Sequence, residues 1–307
     1  MPRPGEGKID CKVIAGRVHQ SLSSAYPLKL LSPEAVPGTT QLLPAVSYIL
    51  SYGGGIVHGD QIHVDVHAHP GTALLLLTQG STKVYRYRPG RPPSYLKNPR
   101  NEGKFDIGQT YQTLIVTVHS NALVCLLPDP VTCFESAKYN QRQMVHMQES
   151  ASLVLLDWMT SGRMSRGERW AFEKYLSVNV VETQGTVVVR DALLLEKHMG
   201  ALDRLHNVDV FAYLLVLGKQ VEHIARVFRD EHSVQRIRPF RPNACSVDVD
   251  ESEVRWSVSE VCERGIEGVA VRIAGPSTES VKAWIKKRIS GLHSVVGDSA
   301  WSMYYNA

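Results

Sequence analysis

Between Ile62 and Ala68 the chain alternates strictly, with Ile62, Val64, Val66 and Ala68 on one face and His63, Asp65 and His67, then His69, on the other. A period of two marks a strand with one buried face. Pro70-Gly71 turns the chain, and Thr72 to Thr78 is an unbroken apolar run, the pattern of a strand covered on both faces. These two segments read as a hairpin, entered from a strand over Val46 to Tyr52. A second hairpin is expected where His119-Ser120-Asn121 separates Leu114–Val118 from Leu123–Leu127. Strand patterns continue over Met144–Gln148, Leu153–Trp158, Trp170–Val180 and Thr186–Leu195. In Trp170–Val180, residues Trp170, Phe172, Leu176, Val178 and Val180 are assigned to one inward face, with Lys174 as the exception.

Helical spacing enters only late. Val210–Leu217 is an apolar strand ending at Gly218, after which Val221, Ile224, Ala225 and Phe228 repeat at helical intervals. The same plan recurs in Val269–Ala274, Gly275-Pro276 and a helix from about Ser277. There Ser277 is a capping residue, Glu279 suits the positive helix start, and Val281, Trp284, Ile285, Ile289 and Leu292 form one apolar stripe. Strands without alternating helices argue against a parallel α/β nucleotide fold and for a mainly β class with two helices in the C-terminal third.

At 307 residues the chain can build a sizeable core; it reads as a single domain, 1–307, with a strand–helix part from about residue 208. A basic, proline- and glycine-rich stretch near 87–106 interrupts the strands as an exposed loop. A formal charge of +4, spread along the chain, gives no footprint for nucleic acid. Five cysteines without a C-x-x-C pair point to a reducing compartment, and no apolar segment reaches membrane-spanning length, so a soluble cytoplasmic protein is expected.

Candidate chemistry is concentrated between Gly53 and Arg86. Gly53-Gly54-Gly55 lacks the third glycine and the following helix of a dinucleotide loop, so these glycines read as turn formers or as points of close backbone approach. His63, Asp65 and His67 at two-residue spacing present imidazole and carboxylate toward one side, a metal-binding pattern or an ordinary polar strand face. No G-x-S-x-G elbow, H-E-x-x-H helix or paired-cysteine module is present. Asp157, Glu168, Glu182 and Asp191 read as strand-end or surface charges, and no catalytic residue is assigned.

The order of motifs adds more. GGGIVHGDQIHVDV, a Gly-Thr-Ala apolar strand and TQGSTKVYR resemble the signature of the urease accessory protein D family, UreD or UreH. The resemblance continues through Pro128-Asp129-Pro130, Phe134, Ala137 to Gln141, DWMTSGRMSRGERWAF from Asp157 to Phe172, and Gly268 to Gly275. It departs at His58, where the family often has a small residue, and in the long basic stretch from Pro89 to Lys104.

The resemblance implies an extended, stacked-strand, β-helix-like body and a non-catalytic scaffold for maturation of the urease nickel centre. It implies three partners: apo-urease, the helical urease accessory protein F, and the nickel-carrying GTPase, urease accessory protein G. An internal channel for transient Ni²⁺ is also implied, without a tightly bound cofactor. On that reading Asp60, Asp65, His63 and His67 are candidates for nickel transit, Asp60 being equally suited to capping the turn after Gly59. Gly54, Gly55, Gly59, Thr78, Thr82, Lys83, Tyr85 and Arg86 carry the motif, while Arg163 and Glu168 either meet a partner or pair with each other. The competing expectation is a metal-dependent β-barrel enzyme using the His63/Asp65/His67 face.

Overall fold

In a computed structural model, residues 2–33, 40–88, 109–197, 205, 207–237 and 253–305 are described. Most of the basic stretch near 87–106 lies outside them. The chain forms two sheets packed face to face. The seven-stranded sheet runs, in spatial order, β14 (Thr186–Glu196), β13 (Lys174–Thr183), β11 (Lys138–Met147), β8 (Thr110–Val118), β5 (Gln61–Ala68), β1 (Glu6–Ile14), β2 (Arg17–Ser24). The ten-stranded sheet runs β16 (Arg255–Glu263), β17 (Ile266–Gly275), β15 (Val210–Leu217), β12 (Ser152–Thr160), β9 (Leu123–Leu126), β6 (Thr72–Leu77), β4 (Leu43–Ser51), β3 (Leu28–Leu31). Short strands β7 (Thr82–Val84) and β10 (Val131–Cys133) pair in parallel with each other, and β10 with β12, completing the ten strands off this path.

The stacked-strand expectation holds: successive passes alternate between sheets, so β5, β8, β11 and β13 stack in parallel, as do β4, β6, β9 and β12. Both expected hairpins are corrected. Pro70-Gly71 and Ser120-Asn121 carry the chain from one sheet to the other, and β5 pairs with β8 rather than with β6. A tight turn with φ of 82° at Gly71 or 54° at Asn121 serves an arch as well as a hairpin; the non-local ladder decides between them. The sheets do not close, which removes the β-barrel that the enzyme reading required.

Two cores result. Ile9, Val66, Val116, Val145 and Val181 form one row across the inside of the seven-stranded sheet, facing Leu74, Val124, Leu155 and Leu215 of the other. The outer face of the ten-stranded sheet is covered by helices α1 (Glu222–Ile237), α2 (Thr278–Arg288), α3 (His293–Val296) and α4 (Asp298–Tyr305). The expected pair is present as α1 and α2, and the two short helices extend the same cover with Val296, Ala300 and Tyr304. Ser277 accepts from the Ser280 amide at 3.1 Å, and Val281, Trp284, Ile285, Ile289 and Leu292 are buried as the stripe predicts. Trp284 packs against Phe228 and Trp256, with ring centres 6.0 and 5.5 Å away. Among the described residues no helix is long and apolar enough to cross a membrane.

Trp284→Ala opens a hole between α2 and the sheet and is expected to cost about 3–5 kcal/mol of unfolding free energy, read from urea denaturation. Trp284→Phe, which keeps a ring in place, is expected to lose less.

Candidate functional site

The assignment of Trp170–Val180 is corrected first, because the site depends on it. The strand is Lys174–Thr183, and Tyr175, Ser177 and Asn179 point inward, while Leu176 and Val178 lie on the half-buried outer face. Trp170, at φ 53°, and Phe172 are buried but precede the strand. The parallel register with β11 puts Tyr139 beside Tyr175, Gln141 beside Ser177 and Gln143 beside Asn179. The interior rows thus change character from apolar at one end to amides and hydroxyls at the other.

Across from them, β12 presents Asp157. It is not a strand-end charge: it lies within an entirely buried strand and is 7% exposed. Its carboxylate accepts from Gln141 Nε2 at 2.9 Å, Ser177 Oγ at 2.6 Å and Asn179 Nδ2 at 2.7 Å. Gln141 Oε1 and Gln112 Oε1 each lie 3.0 Å from the Tyr139 hydroxyl, so the network spans four strands. Desolvation holds the Asp157 pKa above the ordinary carboxylate value of 3.8; the three donors pull it down, and nearby Asp191 pushes it up.

Two cavities border Asp157. One, of about 60 Å³, is lined by Gln112, Gln141 and Gln143 and reaches Thr78, Thr82 and Asp129 at the motif loops. The other, of about 110 Å³, lies at the opposite, open edge of the sandwich, between Asp157, Tyr175, Asp191, Phe211, Tyr213 and Arg272. Each exceeds the roughly 10–15 Å³ that one water requires. Sequence reasoning passed over Asp157, yet a signal was there: a lone charge inside the doubly apolar run SLVLLDWMT has no solvent-facing side to occupy.

The motif residues take other places. Gly54 and Gly59 adopt positive φ, 74° and 80°, and a side chain at Gly55 would strike the Lys83 carbonyl and Tyr85 ring at 2.6 Å. Ile56 donates to the Lys83 carbonyl at 2.7 Å, the Tyr85 hydroxyl reaches the Gly53 carbonyl at 3.4 Å, and Arg86 pairs with Glu135 at 3.2 Å. Thr78 Oγ1 accepts from the Asp129 amide, while the Thr82 amide donates to Pro130. Buried Asp60 accepts from the Val57 amide at 2.8 Å, closing the turn, and borders neither cavity. Arg163 and Glu168 form a two-pronged ion pair beneath which Phe134 lies 3.9 Å from the guanidinium carbon. Hydrogen bonding to Arg163 holds the Glu168 carboxyl below its usual range.

His63, Asp65 and His67 project from the outer face of β5, away from both cavities. His63 Nε2 turns to Asp65 at 3.3 Å, whereas His67 lies beside a stacked His69–His119 pair whose ring centres are 4.5 Å apart. Parallel stacked imidazoles cannot aim in-plane nitrogens at one ion. Among the described residues no three His, Cys, Asp or Glu side chains are grouped to hold a metal.

Because its folded pKa is raised, Asp157 favours the folded state most when protonated, and that contribution is lost as pH rises from 3.8 through the folded value. Urea denaturation of wild type and Asp157→Asn across this range is expected to show the difference moving in the variant's favour as pH increases. A pH-independent difference would mean that the carboxyl titrates alike in both states.

Comparison with known proteins supplies the family. The profile described as UreD urease accessory protein matches residues 5–302. The chain is 32% identical to Urease accessory protein D of Oryza sativa subsp. japonica, covering 96% of this chain and 94% of the relative. It is 31% identical to Urease accessory protein D of Arabidopsis thaliana, covering 96% and 99%. Urease accessory protein UreD of Sorangium cellulosum is 32% identical over 98% of this chain and 84% of its own. With the family profile spanning nearly all of a two-sheet, stacked-strand body, this chain belongs to the UreD urease accessory protein family.

Proposed function

We propose that this chain is a non-catalytic scaffold in urease maturation, and that the space between its sheets conducts Ni²⁺ past Asp157 toward apo-urease. The observation carrying this reading is that the two cavities, one at the motif loops and one at the open edge, both border the same buried carboxylate. The relatives' name, urease accessory protein D, brings urease in as the client.

The chemistry suits transit. Ni²⁺ must give up part of its hydration to pass, and a carboxylate in a cavity also lined by Gln112 and Gln143 replaces part of it without the tight hold of imidazole or thiolate. Asp157 supplies the attraction, and Gln112, Gln141 and Gln143 line the approach from Thr78 and Thr82. Asp60 supports the motif turn, whereas His63, Asp65 and His67 meet any ion only at the outer surface. In this reading the loop side, where Thr78, Asp129 and Lys282 interlock, is assigned to receive nickel from the accessory proteins F and G.

The test is activation of purified apo-urease with nickel, bicarbonate, GTP and those two accessory proteins. Activity is expected only when this chain is present, and to fall roughly tenfold or more with Asp157→Ala while the complex still elutes intact, since loss of one charged station raises the barrier by about 1.4 kcal/mol or more. Activation without the chain, or at the wild-type rate with Asp157→Ala, would overturn the reading.

A further inference from the structure

Beside the larger cavity an ion pair bridges the two sheets. Asp191, on the inward row of β14, receives the Arg272 guanidinium from β17 at 2.5 Å, so the contact ties one sheet to the other across the mouth of the larger cavity. The two groups are unlike in exposure: the Asp191 side chain is 11% exposed and that of Arg272 60%. The carboxylate is therefore fixed in the wall, and the cation lies over it from the solvent side, with the Tyr213 ring 5.7 Å away.

Behind this pair stands Asn179. It faces Asp191 in the β13–β14 register and donates to Asp157 through Nδ2, while its Oδ1 is buried with no hydrogen-bond partner. A buried carbonyl oxygen left unmatched, on a residue that is register partner of one carboxylate and donor to another, is an acceptor suited to a donor or a cation. A carboxylate as enclosed as Asp191 needs a positive charge beside it, and in the resting chain Arg272 provides it.

We propose that Asp191 is a cation station at the outer mouth of the passage and that Arg272 is its gate: guanidinium and divalent cation compete for the same carboxylate. The gate rests on the passage reading for its purpose, but the competition itself is a property of the isolated chain. While Arg272 is seated the station is full; when it swings into solvent, Asp191 and Asn179 Oδ1 offer oxygen ligands to an ion coming from Asp157. Arg272 is a positioning residue, since it acts on the ion only through Asp191.

The experiment is Ni²⁺ binding to the purified full chain at pH 7, in competition with a chromogenic chelator, with folding checked by circular dichroism. Arg272→Gln is expected to bind about tenfold more tightly than wild type, a difference of about 1.4 kcal/mol. Arg272→Lys, which keeps the charge but loses the planar fork, is expected to fall between them. Adding Asp191→Asn to Arg272→Gln should abolish the gain. Equal binding by wild type, Lys and Gln variants, or a gain that survives Asp191→Asn, would overturn the gate. Wild-type urease activation by Asp157→Ala would overturn the passage instead, leaving the titration order unaffected.

Discussion

A carboxylate between two packed sheets is the constraint around which this interior is arranged. Burying Asp157 ionised and unpaired would cost more than a domain of this size can spare, so the surrounding strands must supply donors. They do so by breaking their own apolar rows: Gln141 of β11 and Ser177 and Asn179 of β13 stand where aliphatic side chains would otherwise complete the core. Gln141 is then held by Tyr139, which also engages Gln112 of β8, so the cost of one charge is distributed over four strands. The two cavities border Asp157. Amides and hydroxyls constrained by hydrogen-bond direction do not interdigitate as closely as branched aliphatics.

The ten-stranded sheet makes this possible by serving two cores. In β12, Leu153, Leu155 and Met159 face the inter-sheet space, while Val154, Leu156 and Trp158 face the helices. On the other side of the same strand, Trp158 donates to the Pro128 carbonyl at 2.7 Å and packs under the helical layer. A polar interior is here carried by a sheet whose second face is largely apolar. The seven-stranded sheet has no such cover among the described residues and keeps His63, Asp65 and His67 on its outer side.

What could be read from the sequence follows from how local the governing forces are. The β5 alternation, the buried β6 run, the Ser277 cap and the Trp284 stripe are set by neighbours within a few residues, and all four appear in the structure. Whether Pro70-Gly71 makes a hairpin or an arch depends on β8, fifty residues away in the ladder, so the turn itself carries no answer. The inward face of β13 was misassigned for a related reason. Leu176 and Val178 are the apolar alternates to Ser177 and Asn179, and only the partner Asp157 makes the polar pair the better inward set. The motif glycines are legible as backbone devices, whereas their neighbours Thr78 and Thr82 line a cavity beside the short β7–β10 pairing that no local pattern announces.

On the proposed passage reading, the depth of Asp157 also separates conduction from storage. A storage site gathers three or more strong ligands at one point, and among the described residues none is assembled. Here the oxygen groups are strung out: Gln112 and Gln143 on one side, Asp157 at the junction, Asp191 at the far mouth. An ion at any one of these positions is under-coordinated by protein and must keep some of its water, which the cavities have room to hold. Partial coordination in series lowers the barrier between neighbouring positions without creating a deep well at any of them. On that reading a single carboxylate at the centre meets two opposed demands: enough charge to draw a divalent cation out of solvent, and too few ligands to keep it.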